Sequence, residues 1–259
     1  MKKIYFFDID NTLIDHKTFS IPASALSAIA GLKQSGHTIA LATGRSYAHA
    51  KAYVDQLQPD YVITQNGARA HQGEQEIVSI PLARAPLVEL FEWIEGLGHA
   101  FGVNDDDSGF ISNTDPRIVA PLTFVGMPFQ THDRFYLHRD TFQGWLFFEE
   151  SHDAQLMPEI LERFPDFALA RWHPMGVDVM PRAINKWTGC QKVIAHAGFR
   201  IDQSIAFGDG LNDLEMIQGA GVGIAMDNGH PQLKAIADRI APALHLDGIA
   251  MMLNELQFA

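Results

Sequence analysis

A folding rhythm that stops and later resumes constrains this chain more than any other feature. Lys3 to Phe7 reads as a short buried strand, Pro22 to Gln34 as an amphipathic helix ended by Gly36, and "HTIALATGR" as a second buried strand. A helix from about Ser46 to Leu57 follows, then a third strand, "DYVITQNGA", with turn chemistry at Asn66-Gly67. Strand and helix alternating at this spacing predict repeated βαβ units, hence a parallel sheet with helices on both faces. From Asn185 the rhythm returns: a helix from Lys186 to Ala197, strand "SIAFGDG", helix "LNDLEMIQGA", strand "VGIAM", then helices from Pro231 and from Gly248.

The stretch between is different. A helix from Ala85 to Gly96 precedes short strands around Ala100 to Val103 and Gly109 to Ser112, and a helix near Pro116 to Val125. Strands near Trp145 to Phe148 and Leu169 to Trp172 bracket a helix from His152 to Phe164, and "GVDVM" makes a further strand. Such a mixture predicts an antiparallel sheet with helices on one face. Charge marks the same region. Ala83 to Ala183 holds 7 arginines, no lysine and 16 carboxylates, whereas the remainder holds 12 basic and 15 acidic residues. The expectation is therefore α/β: a Rossmann-like doubly wound parallel sheet from residues 1–82 and 184–259, with an inserted α+β domain at 83–183.

The whole chain has 259 residues, 47% hydrophobic and 19% charged, enough for a large core and unlike a disordered segment. A net charge of −12 argues against nucleic acid as a partner. The apolar run after MKK lasts only from Ile4 to Phe7, too short for an export signal, and no later run has the length of a membrane span. A soluble cytoplasmic protein is expected. The one cysteine, Cys190, excludes an internal disulfide, fits a reducing compartment and reads as a small buried apolar residue.

In a doubly wound sheet the carboxyl ends of the strands converge on one crevice. Here those ends carry Asp8 and Asp10, then Thr43-Gly44-Arg45, Asn66-Gly67, and Asp209 within "FGDGLND". Asp8 and Asp10 end an apolar run one residue apart, where burying either charge unpaired is costly. Three carboxylates in one crevice suit a hard, oxygen-preferring cation such as Mg²⁺. Taken singly, each piece has a bland reading: aspartate is a common turn residue and helix cap, and a lysine is usually a solvated one. Yet Lys186 is the first lysine after Lys51 and opens the helix by which the rhythm resumes. The twelve histidines show no paired ligand spacing, and "NDDDSG" reads as an acidic turn tip.

"DIDNTL", "LATGR", Lys186 in "INKWTG", and "GDGLND" resemble the four ordered motifs of the haloacid dehalogenase superfamily. The insertion between the second and third motifs, and the run "QNGA", resemble the Cof-type phosphatases with a type IIB cap. The resemblance implies an aspartyl-phosphate mechanism, with Asp8 as nucleophile and Asp10 as general acid and then base. It implies Mg²⁺ on the Asp8 carboxylate, the Asp10 backbone carbonyl and Asp209, with Asp213 close by, so that the Asp10 carboxyl stays free. Thr43, the Gly44 amide and Lys186 would hold phosphate oxygens, with Asn212 in the same shell, and Arg45 and Asn66 would border the crevice. Asn11 stands where the Cof-type pattern usually has glycine, and asparagine tolerates the positive φ such a turn needs.

The expected activity is thus a Mg²⁺-dependent phosphatase for a small phosphorylated metabolite, such as a sugar phosphate or a phosphorylated cofactor. The inserted cap would close over the crevice, and Arg117, Arg134, Arg139 and Arg171 are candidates for selecting an anionic substrate. Two alternatives stand beside it: a phosphomutase resembling phosphomannomutase, and a catalytically idle phospho-ligand sensor. Phosphonatase chemistry is disfavoured because the insertion has no lysine to form a Schiff base.

Overall fold

A computed structural model describes residues 1–104, 109–124, 126–131 and 134–257. The first half of the rhythm forms β1 (Ile4–Phe7), α1 (Ala23–Gln34), β2 (Thr38–Ala42), α2 (Tyr47–Leu57), β3 (Tyr61–Thr64), β4 (Arg69–Gln72) and β5 (Gln75–Ser79). The middle stretch forms α3 (Arg84–Gly96), β6 (Ala100–Asn104), β7 (Gly109–Ile111), α4 (Pro116–Phe124), β8 (Phe129–Gln130), β9 (Gln143–Phe147), α5 (Asp153–Arg163), β10 (Phe167–His173) and β11 (Gly176–Pro181). The return forms α6 (Lys186–His196), β12 (Ser204–Gly208), α7 (Leu214–Gly219), β13 (Val222–Met226), α8 (Pro231–Ile236), β14 (Arg239–Ala241) and α9 (Gly248–Gln257). The chain divides into two compact units. One comprises Met1–Arg45, Ala50–Ser79 and Asn185–Ala259; the other comprises Ser46–His49 and Ile80–Ile184.

In the first unit the sheet runs β14-β13-β12-β1-β2-β3-β4-β5 among the described residues. The strands from β14 to β3 are parallel, as the βαβ pattern requires. Alternate residues serve opposite faces. Tyr5, Phe7, Ile39, Leu41, Ile205, Phe207, Ile224 and Met226 pack with Ala25, Ile29 and Leu32 of α1, Tyr53 and Leu57 of α2, and Ile249, Met252 and Leu253 of α9. On the other side α6 lies against β3 and β5, and α7 against β12 and β13. The sheet is doubly wound, as expected.

It is not wholly parallel. β4 and β5 form an antiparallel hairpin added to β3, where the sequence pattern simply ended. Their polar residues, half-buried at Arg69 and His71 and exposed at Gln72, Gln75 and Glu76, hide the alternation that marks a strand. The three-residue edge strand β14 was too short to register as a strand at all.

The second unit has its own sheet, β10-β11-β9-β6-β7-β8. All pairs are antiparallel except β7 with β8. Phe101, Val103, Phe110, Leu146, Val177 and Val179 face Leu87, Leu90, Phe91 and Ile94 of α3 and Leu156 and Ile160 of α5. Ala100, Ile111, Trp145 and Phe147 face the opposite way, onto Ile118 and Leu122 of α4. Helices therefore lie on both faces, not one: the alternating apolar residues of β6 and β9 supply two buried faces, and α4 covers the second. The acidic run 105–107 lies outside the described residues. Among the described residues no helix is long and apolar enough to cross a membrane.

Candidate active site

Register brings the motifs together. Phe7 is paired with both Leu41 and Phe207, and the Asp8 amide donates to the Phe207 carbonyl at 3.0 Å. Asp8, Thr43 and Asp209 thus leave adjacent parallel strands at one end of the sheet. Beyond Asp8 the chain turns tightly, with the Ile9 carbonyl accepting from Leu13 and Ile14 at 2.9 and 3.0 Å. Asn11 sits in this turn at φ 55°, the left-handed conformation expected of it. The Asn228 side chain donates to the Asn11 carbonyl at 2.8 Å.

Lys186 is the first residue of α6, whose N-cap Asn185 accepts from the Thr188 amide at 2.9 Å. Its side chain is 1% exposed, and its Nζ donates to Oδ1 of Asp8 and to Oδ1 of Asp213, both at 2.6 Å. The other oxygen of Asp213 accepts from the Asp209 and Gly210 amides at 3.0 and 2.9 Å. Asp213 therefore ties the Gly208–Asp213 loop to Lys186. Gly208 is needed for that approach, because a Cβ there would come within 2.6 Å of the Asp213 carboxyl carbon. Thr12 donates to Oδ1 of Asp209 at 3.2 Å. That residue is the threonine of "DIDNTL", which carries no role of its own in the sequence pattern.

One carboxylate oxygen each from Asp8, Asp209 and Asp213 lie within 4.8 Å of one another. Burial, together with the charges of Asp213 and Asp10, pushes the Asp8 carboxyl up to about 7 despite Lys186. Burial and the neighbouring Asp8 and Asp213 hold Asp209 well above the usual carboxylate range. Burial opposes the charge on Lys186, but Asp213 and Asp8 outweigh it and raise the lysine above its ordinary value. One ammonium is too little positive charge for three carboxylates. The donors are all hard oxygens, so this cluster fits a divalent metal ion.

Asp10 differs from expectation. Its carboxyl is not free: Arg45 grips it with two hydrogen bonds, Nε to Oδ2 at 2.9 Å and Nη2 to Oδ1 at 2.7 Å. His16 Nε2 lies 3.5 Å from the same Oδ1. Burial works against the charge, but the Arg45 fork overcomes it and lowers the Asp10 carboxyl below its usual range. Arg45 also stacks over the Tyr53 ring at 5.4 Å. The two aspartates of one turn therefore have opposite surroundings.

Thr43 is fully buried, and its Oγ1 accepts from the Arg45 amide at 3.1 Å. Asn66 accepts from the Asn212 side chain at 3.0 Å and packs where a Cβ on Gly44 would be, 3.1 Å from that point. Thr43, Gly44, Arg45, Asn66, Lys186, Asn212, Asp209 and Asp213 are thus brought around Asp8 and Asp10. The four candidate arginines of the insertion have partners within their own unit: Arg117 with Asp115, Arg171 with Asp153, Arg134 near Glu95, and Arg139 over the Phe135 ring. Cys190 is buried and free, and burial pushes its thiol up.

The sequence profile of the haloacid dehalogenase-like hydrolases matches residues 5–253. Among related proteins, "Putative phosphatase YkrA" of Bacillus subtilis (strain 168) is 34% identical over 256 residues, covering 98% of this chain and 97% of that one. The HMP-PP phosphatase of Klebsiella pneumoniae (strain 342) is 30% identical over 247 residues, covering 91% and 88%. The solved structure of the HAD subclass IIB sugar phosphatase BT4131 superposes with a TM-score of 0.87 at 26% identity over 100% of both chains. The motifs, the two-unit fold and these likenesses agree, and the chain belongs to the haloacid dehalogenase-like hydrolases, among their phosphatases.

Proposed function

We propose that this enzyme is a Mg²⁺-dependent phosphatase that hydrolyses small phosphorylated metabolites through an aspartyl-phosphate on Asp8. The observation that carries this reading is the cluster of three carboxylates, Asp8, Asp209 and Asp213, with a single buried ammonium bound to two of them, Asp8 and Asp213. The names of two similar proteins, an HMP-PP phosphatase and a sugar phosphatase, support a small phosphorylated substrate. Asp8, Asp209 and the Asp10 backbone carbonyl would hold the ion. When bound, Mg²⁺ supplies positive charge that lets an anionic carboxylate approach an anionic phosphate.

The chain's own residues do the rest. An oxygen of Asp8 attacks phosphorus, the bond from phosphorus to the leaving oxygen breaks, and Asp10 gives that oxygen its proton. Asp10 then takes a proton from water as the water attacks phosphorus, and the acyl-phosphate bond to Asp8 breaks to release inorganic phosphate. Lys186, together with the bound ion, would keep Asp8 anionic, and it offsets charge on the phosphoryl oxygens. Thr43 and the Gly44 amide grip those oxygens, with Asn212 beside them. Asp10 takes up its proton as it leaves the Arg45 fork, since a carboxyl held by guanidinium stays ionised. The inserted segment, about residues 83–183, is assigned the choice of leaving group.

The test is hydrolysis of p-nitrophenyl phosphate by purified protein with added Mg²⁺ and with excess EDTA, followed by a panel of phosphorylated metabolites ranked by kcat/KM. Equal turnover in both conditions, or none in either across the panel, overturns the reading.

A further inference from the structure

Three successive residues, Gln65, Asn66 and Gly67, take left-handed backbone conformations, with φ of 50°, 53° and 97°. For Gln65 that conformation is strained and persists only where the surroundings enforce it, whereas asparagine and glycine adopt it more readily. Gln65 and Asn66 are buried as well. Their surroundings come from three separate parts of the chain. The Gln65 amide donates to the Arg45 carbonyl at 2.9 Å and the Asn66 amide to the Thr43 carbonyl at 3.1 Å, so the turn holds the Thr43-Gly44-Arg45 loop from both ends. The Asn66 side-chain oxygen accepts from Asn212 at 3.0 Å. Gly67 lies against the start of α6: a Cβ there would sit 2.2 Å from the Asn185 carbonyl oxygen, and one on Gly189 would sit 2.8 Å from the Gly67 Cα. Asn185 is the residue before Lys186.

We propose that the Gln65–Gly67 turn is a positioning element, which fixes the Thr43-Gly44-Arg45 loop, Asn212 and the start of the Lys186 helix in one mutual geometry. The proposal rests on the phosphatase reading for its consequence in catalysis, not for the geometry itself. Asn66 on this account touches no substrate; it acts through Asn212 and the loop. A left-handed turn made of less constrained residues would let these three pieces drift, and misplacement by about 1 Å costs about 10²-fold in rate.

Two measurements test it. With p-nitrophenyl phosphate, Asn66→Ala lowers kcat by about 10²-fold at nearly unchanged KM. Asn66→Gly, which accepts the left-handed backbone at no cost, recovers part of that loss. The double variant Asn66→Gly/Asn212→Ala is no slower than the slower single variant, because both lose one shared interaction. Multiplying losses in the double variant, or a loss confined to KM, would assign Asn66 to the substrate and overturn the proposal. The second measurement needs no activity. Amide hydrogen exchange in Asn66→Ala speeds up at 43–45 and at 185–189 together, while α1 and α9 keep their protection. Unchanged exchange at either segment overturns the positioning role even if the wild-type protein proves to be an active phosphatase, whereas an inactive wild type with coupled exchange would overturn only the phosphatase reading.

Discussion

Lys186 Nζ lies 2.6 Å from Asp8 and 2.6 Å from Asp213, and so one buried ammonium joins the expected nucleophile to the loop that carries Asp209. Removing it leaves two buried carboxylates facing each other with no cation. Lys186→Ala is therefore expected to lower stability by about 3–5 kcal/mol, the usual cost of breaking a buried pair. The same variant should lose about 10²–10³-fold in kcat, the usual worth of one electrostatic contact to a developing charge. Urea unfolding and p-nitrophenyl phosphate kinetics check the two parts. A variant that keeps wild-type stability would mean that the pair contributes little in solution.

Asp209 has the opposite sign in metal-free protein. Its charge is disfavoured by burial and by Asp8 and Asp213, so replacing it by a neutral amide removes repulsion. Asp209→Asn should raise the melting temperature measured in EDTA and lose most of the further rise that Mg²⁺ gives the wild type. Thermal scans of both proteins across a Mg²⁺ titration decide this. An equal Mg²⁺ shift in both would remove Asp209 from the metal site.

The same cluster fixes a pH trend. Asp8 is pushed up to about 7 in the folded protein, above the unfolded value of about 3.9. Between those values the folded state binds more protons than the unfolded state, so stability falls as pH rises through that window. Metal-free protein should thus lose stability from about pH 4 to pH 7, on the part of the profile that this group controls, and saturating Mg²⁺ should flatten the fall. Denaturant midpoints at several pH values, with EDTA and with Mg²⁺, measure the difference. A fall of equal steepness in both conditions would contradict it.

Much of this site could be read from the chain because its parts sit at strand ends. An apolar run that stops in aspartate marks both a strand boundary and a charge needing a partner, so Asp8, Asp10 and Asp209 could be placed in one crevice before any coordinates. Lys186 was legible from its scarcity among lysines and its place at a helix start. What could not be read is mutual orientation. Nothing in "TGR" says that Arg45 turns toward Asp10, since a guanidinium reaches many positions and the partner is 35 residues away. Gln65 gave no sign of its left-handed φ either, because glutamine has no preference for that conformation; tertiary contacts enforce it. The β4–β5 hairpin escaped for another reason: its exposed polar residues carry no alternation to detect.

The last prediction concerns Asp8 and Asp10, identical side chains in one turn with different jobs. Burial and the neighbouring carboxylates raise the Asp8 pKa despite Lys186, whereas the Arg45 fork overcomes burial and lowers that of Asp10. Asp8→Asn should abolish turnover and form no covalent phosphoenzyme. Asp10→Asn should still bind Mg²⁺ and substrate but lose about 10²–10⁴-fold in rate, the range for general acid–base catalysis. That loss should be smaller for p-nitrophenyl phosphate, whose leaving group needs little help from an acid. Arg45→Ala adds a sign that can be read. Without the guanidinium the Asp10 carboxyl rises, so the ionised form needed to activate water appears only at higher pH. The acid limb of the pH–rate profile should move upward, while Asp10→Asn should lose that limb altogether. Rapid-quench labelling with ³²P substrate settles the nucleophile, and label trapped on Asp10, or on the Asp8→Asn protein, would overturn the assignment.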